Sequence, residues 1–205
     1  LFRFKKDGYF VDLAANDAIK ISNTYALEAH YDWTGLAIEP NNLYWSGLAY
    51  RKCHVVGAVV GTGAEQRFAF PKRKPPQGGL IGPEFDNHKV DSDQVQRRST
   101  IPIRDIFTRF QTPQIIDYMS LDVEGAEYFI MQDFPFESYR INVLTVERAD
   151  AKLCNLLQNN GYIQLKKLKQ WGETLWIHSS MDQTLDTTAA LEIDTEHFKY
   201  SEKVL

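Results

Sequence analysis

The chain has 205 residues, of which 43% are hydrophobic and 24% charged, enough for one domain with a sizeable core and ordinary for a globular protein. A net charge of −4 gives no general electrostatic footprint for nucleic acid, and no apolar run approaches the ~18 residues of a membrane span. Cys53 and Cys154 lack metal or redox spacing and read as reduced thiols in or near a core. Without a disulfide framework or a signal-like leader, the expectation is a cytoplasmic protein of open oligomeric state. Residues 1–205 read as a single domain, and Leu1 in place of an initiator Met suggests one cut from a longer polypeptide.

Period and punctuation predict alternating strands and helices. Residues 9–13 form a first strand that stops at the loop Ala14-Ala15-Asn16-Asp17. Residues 22–31 read as a helix started by Ser22-Asn23-Thr24, with Ala26, Leu27 and Ala29 available for its inner face. Residues 35–38 form a second strand ended by Glu39-Pro40, residues 42–51 a second helix, and residues 54–60 a third strand. Residues 65–70 look like an edge strand. Residues 71–94 then break the rhythm with seven Pro and Gly residues and the basic run Lys72-Arg73-Lys74; so long a loop reads as a substrate lid or as passive disorder.

Pro102 opens a short helix to Phe110. Residues 115–121 form a fourth strand ending at Asp122, followed by a helix over 126–133. Residues 141–146 form a fifth strand ending at Glu147-Arg148, followed by a helix over 151–160 stopped at Gly161. Residues 162–168 and 174–177 read as a hairpin-like pair around Trp171-Gly172, and residues 179–205 as a weakly patterned tail. The sum is an α/β, Rossmann-like fold: a mostly parallel sheet with helices on both faces and an antiparallel C-terminal strand pair.

In such a sheet, ligands bind at the carboxyl ends of the strands. A nicotinamide site would carry G-x-G-x-x-G in the first turn so that backbone can approach a pyrophosphate. Here the turn has no glycine, and Asn16 and Asp17 would crowd or repel a pyrophosphate. A cofactor without phosphates fits better, and S-adenosylmethionine (SAM) is such a molecule. Asp12 and Asp17 are candidates for its ammonium group. Ser22, Asn23 and Thr24 are candidates for its carboxylate at a helix start, or merely cap that helix. Glu39 lies 27 residues after Asp12, placed to accept both ribose hydroxyls, with Pro40 beside it. Ala14 and Asn16 belong to the first turn, and Val60, in the turn near 57–62, would lie against the adenine.

The segments Gly8–Ala18, Ser22–Glu28, Trp33–Asn41, Asp117–Glu127 and Leu144–Arg148 together resemble the FkbM-type family of SAM-dependent methyltransferases. The most specific stretch is Leu121-Asp122-Val123-Glu124-Gly125-Ala126-Glu127. Ala14 and Ala18 stand where that family's usual form has glycine, which bears on SAM affinity. The resemblance implies O-methyl transfer onto hydroxyls of sugars, glycans or related small molecules.

Such a transfer needs alignment and removal of a hydroxyl proton. Asp122 and Glu147, at neighbouring strand ends, are the expected catalytic pair, with Glu124 close behind. Asp122 and Glu147 also offer oxygen ligands for Mg²⁺, Mn²⁺ or Ca²⁺, and metal-assisted and metal-free deprotonation both remain open. His88 and His178 are alternative bases. An NAD-dependent oxidoreductase and a non-catalytic methyltransferase-like binding domain are the competing readings.

Overall fold

The structure is a computed structural model that describes residues 1–71, 78–87, 95–168, 172–181 and 185–192. The chain begins β1 (Tyr9–Leu13), α1 (Tyr25–Tyr31), β2 (Thr34–Ile38), α2 (Trp45–Leu48), β3 (His54–Val56) and β4 (Val59–Val60). It continues β5 (Glu65–Ala69), β6 (Gly79–Leu80), β7 (Val95–Ile101), α3 (Ile103–Arg109), β8 (Ile115–Leu121) and α4 (Glu127–Met131). The last elements are β9 (Arg140–Val146), α5 (Ala151–Asn159), β10 (Tyr162–Lys167), β11 (Thr174–His178) and α6 (Thr187–Glu192). No helix among the described residues is long and apolar enough to cross a membrane, and both cysteines are free.

Among the described residues, seven strands form the main sheet in the order β10-β11-β9-β8-β1-β2-β3. The five strands from β9 to β3 pair in parallel, while β11 runs antiparallel between β9 and β10. Successive side chains on β1 and β2 point to opposite faces, and both faces are apolar. Val11, Leu13, Leu36 and Ile38 share a core with Ile106 and Phe107 of α3, Ile130 of α4 and Leu153 of α5. Phe10 and Ala37 pack instead with Leu27 of α1 and Leu48 of α2. Helices therefore cover both faces, as the apolar runs require. A Cβ on Gly35 would sit 2.0 Å from the Phe10 carbonyl oxygen, so this close approach of β1 and β2 needs glycine.

Several elements depart from the sequence expectation. The strand expected over 54–60 splits at Gly57-Ala58 into β3, in the main sheet, and β4, in a second sheet of order β4-β7-β5-β6. No periodicity marked β7: of its seven residues only Thr100 is buried. Its presence moves β5 from an edge to an interior position, paired with β7 and β6. Helix α2 is one turn, because Asn41 folds its own side chain onto the Leu43 amide at 3.1 Å and delays the helix start. The tail contains α6, packed against β10. Trp171, Lys72, Arg73, Lys74, His88 and the end of the tail lie outside the described residues, so of the expected lid only 71 and 78–87 can be placed.

The inner face of α1 also differs. Ala26 and Ala29 are exposed, and Glu28 is buried. The cause is Arg51, itself buried, whose Nε lies 3.1 Å from a Glu28 carboxylate oxygen. Its Nη1 donates to Ser22 Oγ at 3.0 Å and to the Ala18 carbonyl at 3.3 Å, and its Nη2 donates to Thr24 Oγ1 at 3.1 Å. Thr24 in turn donates to Asp12 at 2.7 Å. Glu28 also accepts from the Lys52 and Cys53 amides. A buried cation demands this many partners. Arg51→Leu leaves Glu28 buried without its counter-ion and should destabilise the fold by about 3–5 kcal/mol, read as a lower urea midpoint at unchanged slope.

Candidate functional site

Strands β1, β2, β8 and β9 run parallel, so their carboxyl ends meet at one rim. A pocket opens there, whose roughly 560 Å³ of free space is continuous with solvent. Leu13, Ala14 and Asn16 line it after β1, and Glu39, Pro40, Asn41 and Tyr44 after β2. Ala58, Val59 and Val60 form its inner wall, Phe68 and Leu80 of the second sheet its outer wall, and Val123, Ala126 and Ile130 its far side.

The first turn is tightly bent. Ala14 and Asn16 adopt left-handed φ values of 59° and 57°, a conformation that costs a residue with a Cβ roughly 1–2 kcal/mol. The Ala14 and Ala15 amides both donate to the Ile38 carbonyl, at 3.0 and 3.2 Å. The Asn16 amide donates to Glu39 Oε2 at 2.9 Å, and the Asn41 amide donates to Glu39 Oε1 at 2.7 Å. Each Glu39 oxygen so keeps acceptor capacity toward the pocket. Burial pushes the Glu39 carboxyl up to about 7, against the pull of the Asn41 and Asn16 amides. The buried Oδ1 of Asn16 has no hydrogen-bond partner among the described residues.

Of the expected cofactor residues, Ala14, Asn16, Glu39, Pro40 and Val60 line this pocket, and Asp12, Asp17, Ser22, Asn23 and Thr24 do not. Asp12 is buried beneath the turn on Thr24, with its carboxyl raised to about 6 by burial. Ser22 accepts from the Tyr25 amide at 3.0 Å and from Arg51, and Asn23 donates to Ser120 at 2.8 Å. Asp17 is half-buried, and its Oδ1 accepts from the Ile19 and Lys20 amides, which lower its pKa. These side chains hold the turn in shape.

The second half of the rim is acidic. Asp122, Glu124 and Glu147 bring carboxylate oxygens within 4.8 Å of one another. Burial first, then a hydrogen bond and charge repulsion from Asp122, hold the Glu147 carboxyl well above the usual carboxylate range. Glu147 therefore favours its protonated form beside Asp122. Glu127, from the same turn, faces back: its Oε1 accepts from the Val123 and Gly125 amides, and burial raises it to about 7. Arg148 Nη2 lies 2.7 Å from Glu147, 3.1 Å from Glu124 and 2.6 Å from Asp86.

His178 cannot reach this rim. Strand β11 is antiparallel to β9, with Thr174 beside Val146 and Ile177 beside Val143, so His178 ends at the opposite edge of the sheet, on Ser180 Oγ at 2.8 Å. His88 lies outside the described residues. The sequence reading missed Asn41, Tyr44 and Phe68 as pocket walls and Asp86 as an acid of the rim. Asn41 carried the one available signal, following Glu39-Pro40 at a strand end; nothing local marked the others.

The family described as Methyltransferase FkbM domain matches residues 12–163. No curated protein matches the chain. A crystal structure of precorrin-6y C5,15-methyltransferase from Geobacter metallireducens GS-15 aligns at 13% identity and a TM-score of 0.40, covering 86% of this chain and 81% of the other. The family match spans both the first turn and the acidic rim: the chain belongs to the FkbM methyltransferase domain family.

Proposed function

We propose that this chain is a SAM-dependent O-methyltransferase acting on a hydroxyl of a sugar, glycan or related small molecule. The observation that carries the cofactor is the first turn. The Ala14, Ala15 and Asn16 amides are all engaged, so no run of N–H groups is left to cradle a pyrophosphate. The pocket presents acceptors instead, Glu39 and the unpartnered Asn16 Oδ1. Such a set suits hydroxyls, an ammonium group and a cationic sulfonium, and disfavours a dinucleotide. Glu39 would hold the ribose, Asn16 the amino-acid end, and Val60 with Ala58 the adenine.

Bound there, SAM supplies a methyl group already activated for in-line displacement. What the chain must supply is alignment and a base. Asp122 and Glu147 together are the base in this reading: the Glu147 carboxyl, held above the usual carboxylate range by burial and by Asp122, holds a hydroxyl proton better than an isolated carboxylate. Glu124 keeps a negative potential at the same rim. A divalent cation on Asp122 and Glu147 is the competing form of the same reaction, distinguished by whether excess chelator abolishes turnover. Phe68 and the 78–87 segment beside the pocket would form part of the acceptor's enclosure.

Glu39→Gln removes the charge from the ribose acceptor, and SAM affinity by calorimetry should fall by about 1.5–3 kcal/mol. The pH dependence has a definite sign. Glu39 loses its proton near 7, and only the carboxylate makes charge-assisted bonds, so wild-type affinity should rise from pH 6 to pH 8 and the Glu39→Gln affinity should not. Equal slopes in the two proteins would remove Glu39 from the site.

Asp122→Asn keeps shape and removes charge. In methyl transfer to a saccharide panel, turnover should fall by a factor on the order of 10² or more, with SAM binding retained. Because residues acting as a unit give non-additive losses, Asp122→Asn/Glu147→Gln should be hardly worse than either single variant. Near-normal turnover in both single variants would mean that the base lies elsewhere.

A further inference from the structure

One nitrogen, Arg148 Nη2, lies within 3.1 Å of three carboxylates, those of Asp86, Glu124 and Glu147. That is the position a hard cation would take among oxygen ligands. The backbone holds it there. Arg148 and Glu124 both adopt left-handed φ, 48° and 54°, and the Arg148 amide donates to the Gly172 carbonyl at 3.2 Å. Two non-glycine residues in this conformation facing one another across the rim mark a shape imposed by the surroundings.

The third acid comes from a different part of the chain. Asp86 sits in the 78–87 segment, whose Gly79 and Leu80 line the cofactor pocket. The Asp86 amide donates to the Glu124 carbonyl at 3.3 Å. A Cβ on Gly125, whose φ is 90°, would meet the Asp86 amide nitrogen at 2.8 Å. The segment is therefore seated on the Glu124-Gly125 turn, and the guanidinium ties it to the rim.

From this geometry we infer that Arg148 is the resident cation of the acidic rim: it occupies the place of a divalent metal and, through Asp86, ties the 78–87 segment over the pocket. Arg148 is a positioning residue. Its charge holds Glu147 and Glu124 together beside Asp122, and it rests on the reading of that rim as the methyl-transfer site. A fixed guanidinium and a bound Mg²⁺, Mn²⁺ or Ca²⁺ cannot share the Glu124 and Glu147 oxygens that Arg148 takes, so a metal at the Asp122, Glu124 and Glu147 cluster competes with Arg148 for its ligands.

The test is a titration of the full chain with Mn²⁺ alone, followed by electron paramagnetic resonance, which needs neither SAM nor an acceptor. Wild type should leave the Mn²⁺ signal unchanged up to ~1 mM, above the range of weak carboxylate sites. Arg148→Gln frees the oxygens and should bind Mn²⁺ at least about tenfold more tightly, whereas Arg148→Lys keeps a cation and should stay near wild type. Hydrogen exchange at residues 85–87 should speed up in Arg148→Gln and slow again when Mn²⁺ is added. Wild-type binding well below 1 mM overturns the proposal without needing any variant to fold. No gain of binding in a folded Arg148→Gln also overturns it, as does unchanged exchange at 85–87. SAM affinity, measured in parallel, separates this failure from failure of the methyltransferase reading.

Discussion

A single buried charge sets the shape of the turn that opens the pocket rim of this fold. Arg51 is sealed beneath the first turn, and a guanidinium out of water must be met by carboxylate and oxygen partners or the fold loses several kcal/mol. Its partners come from three separate places: Ala18 and Ser22 in the loop after β1, Thr24 and Glu28 at the start of α1, and Asp12 through Thr24. Bringing them to one cation fixes where β1 ends, where α1 begins and how the chain between them must bend. Phe10 and Tyr25 rings, each 5.7 Å from the guanidinium carbon, complete the enclosure. The left-handed Ala14 and Asn16 are tolerable because this network, together with the Ile38 carbonyl, over-determines the turn.

The same network divides the acids into two groups. Asp12 is committed beneath the turn, while Glu39 stays at the pocket wall with acceptor capacity to offer. Across the rim, Glu127 closes its own turn while Asp122 and Glu147 remain together. Burial raises the pKa of Asp12, Glu39, Glu127 and Glu147 alike. Each of these carboxyls prefers its proton in the folded state, so their summed effect lowers stability as pH rises from their unfolded pKa values toward about 7 and beyond. A rim of partly protonated acids suits a cationic ligand, whose charge would offset the repulsion that ionisation creates.

Sequence made much of this legible, for physical reasons that also mark its limits. The central strands were readable because both faces of a parallel sheet are buried, giving short apolar runs such as Phe10-Val11 and Leu36-Ala37-Ile38 that stop at acids. Glu39, Asp122 and Glu147 could be placed at one rim because those stops fall at the carboxyl ends of parallel strands. Strand β7 was not, because a strand whose side chains face solvent carries no hydrophobic period. The hydrogen bonds of Ser22 and Thr24 to Arg51 were not legible for a different reason. A helix-start hydroxyl looks the same in sequence whether it meets a ligand or a buried arginine, and Arg51 lies in a segment that reads as an ordinary amphipathic helix. Asp86, inside a Gly- and Pro-rich stretch, had no local feature to single it out.

The rim uses the two arginines in contrasting ways. Arg51 is buried, and its partners are locked into the fold; Arg148 is about half exposed, at 46% of its side-chain surface, and its partners face the site. Solvent screens the second set, so each ion pair at Arg148 contributes little stability on its own. What that cluster provides is placement: it brings a segment distant in sequence against the Glu124-Gly125 turn and keeps Glu147 beside Asp122. A weakly stabilising, solvent-facing tie suits a segment that borders the pocket from outside the main sheet. A deeply buried one suits the turn that must keep a single shape whether or not a ligand is bound.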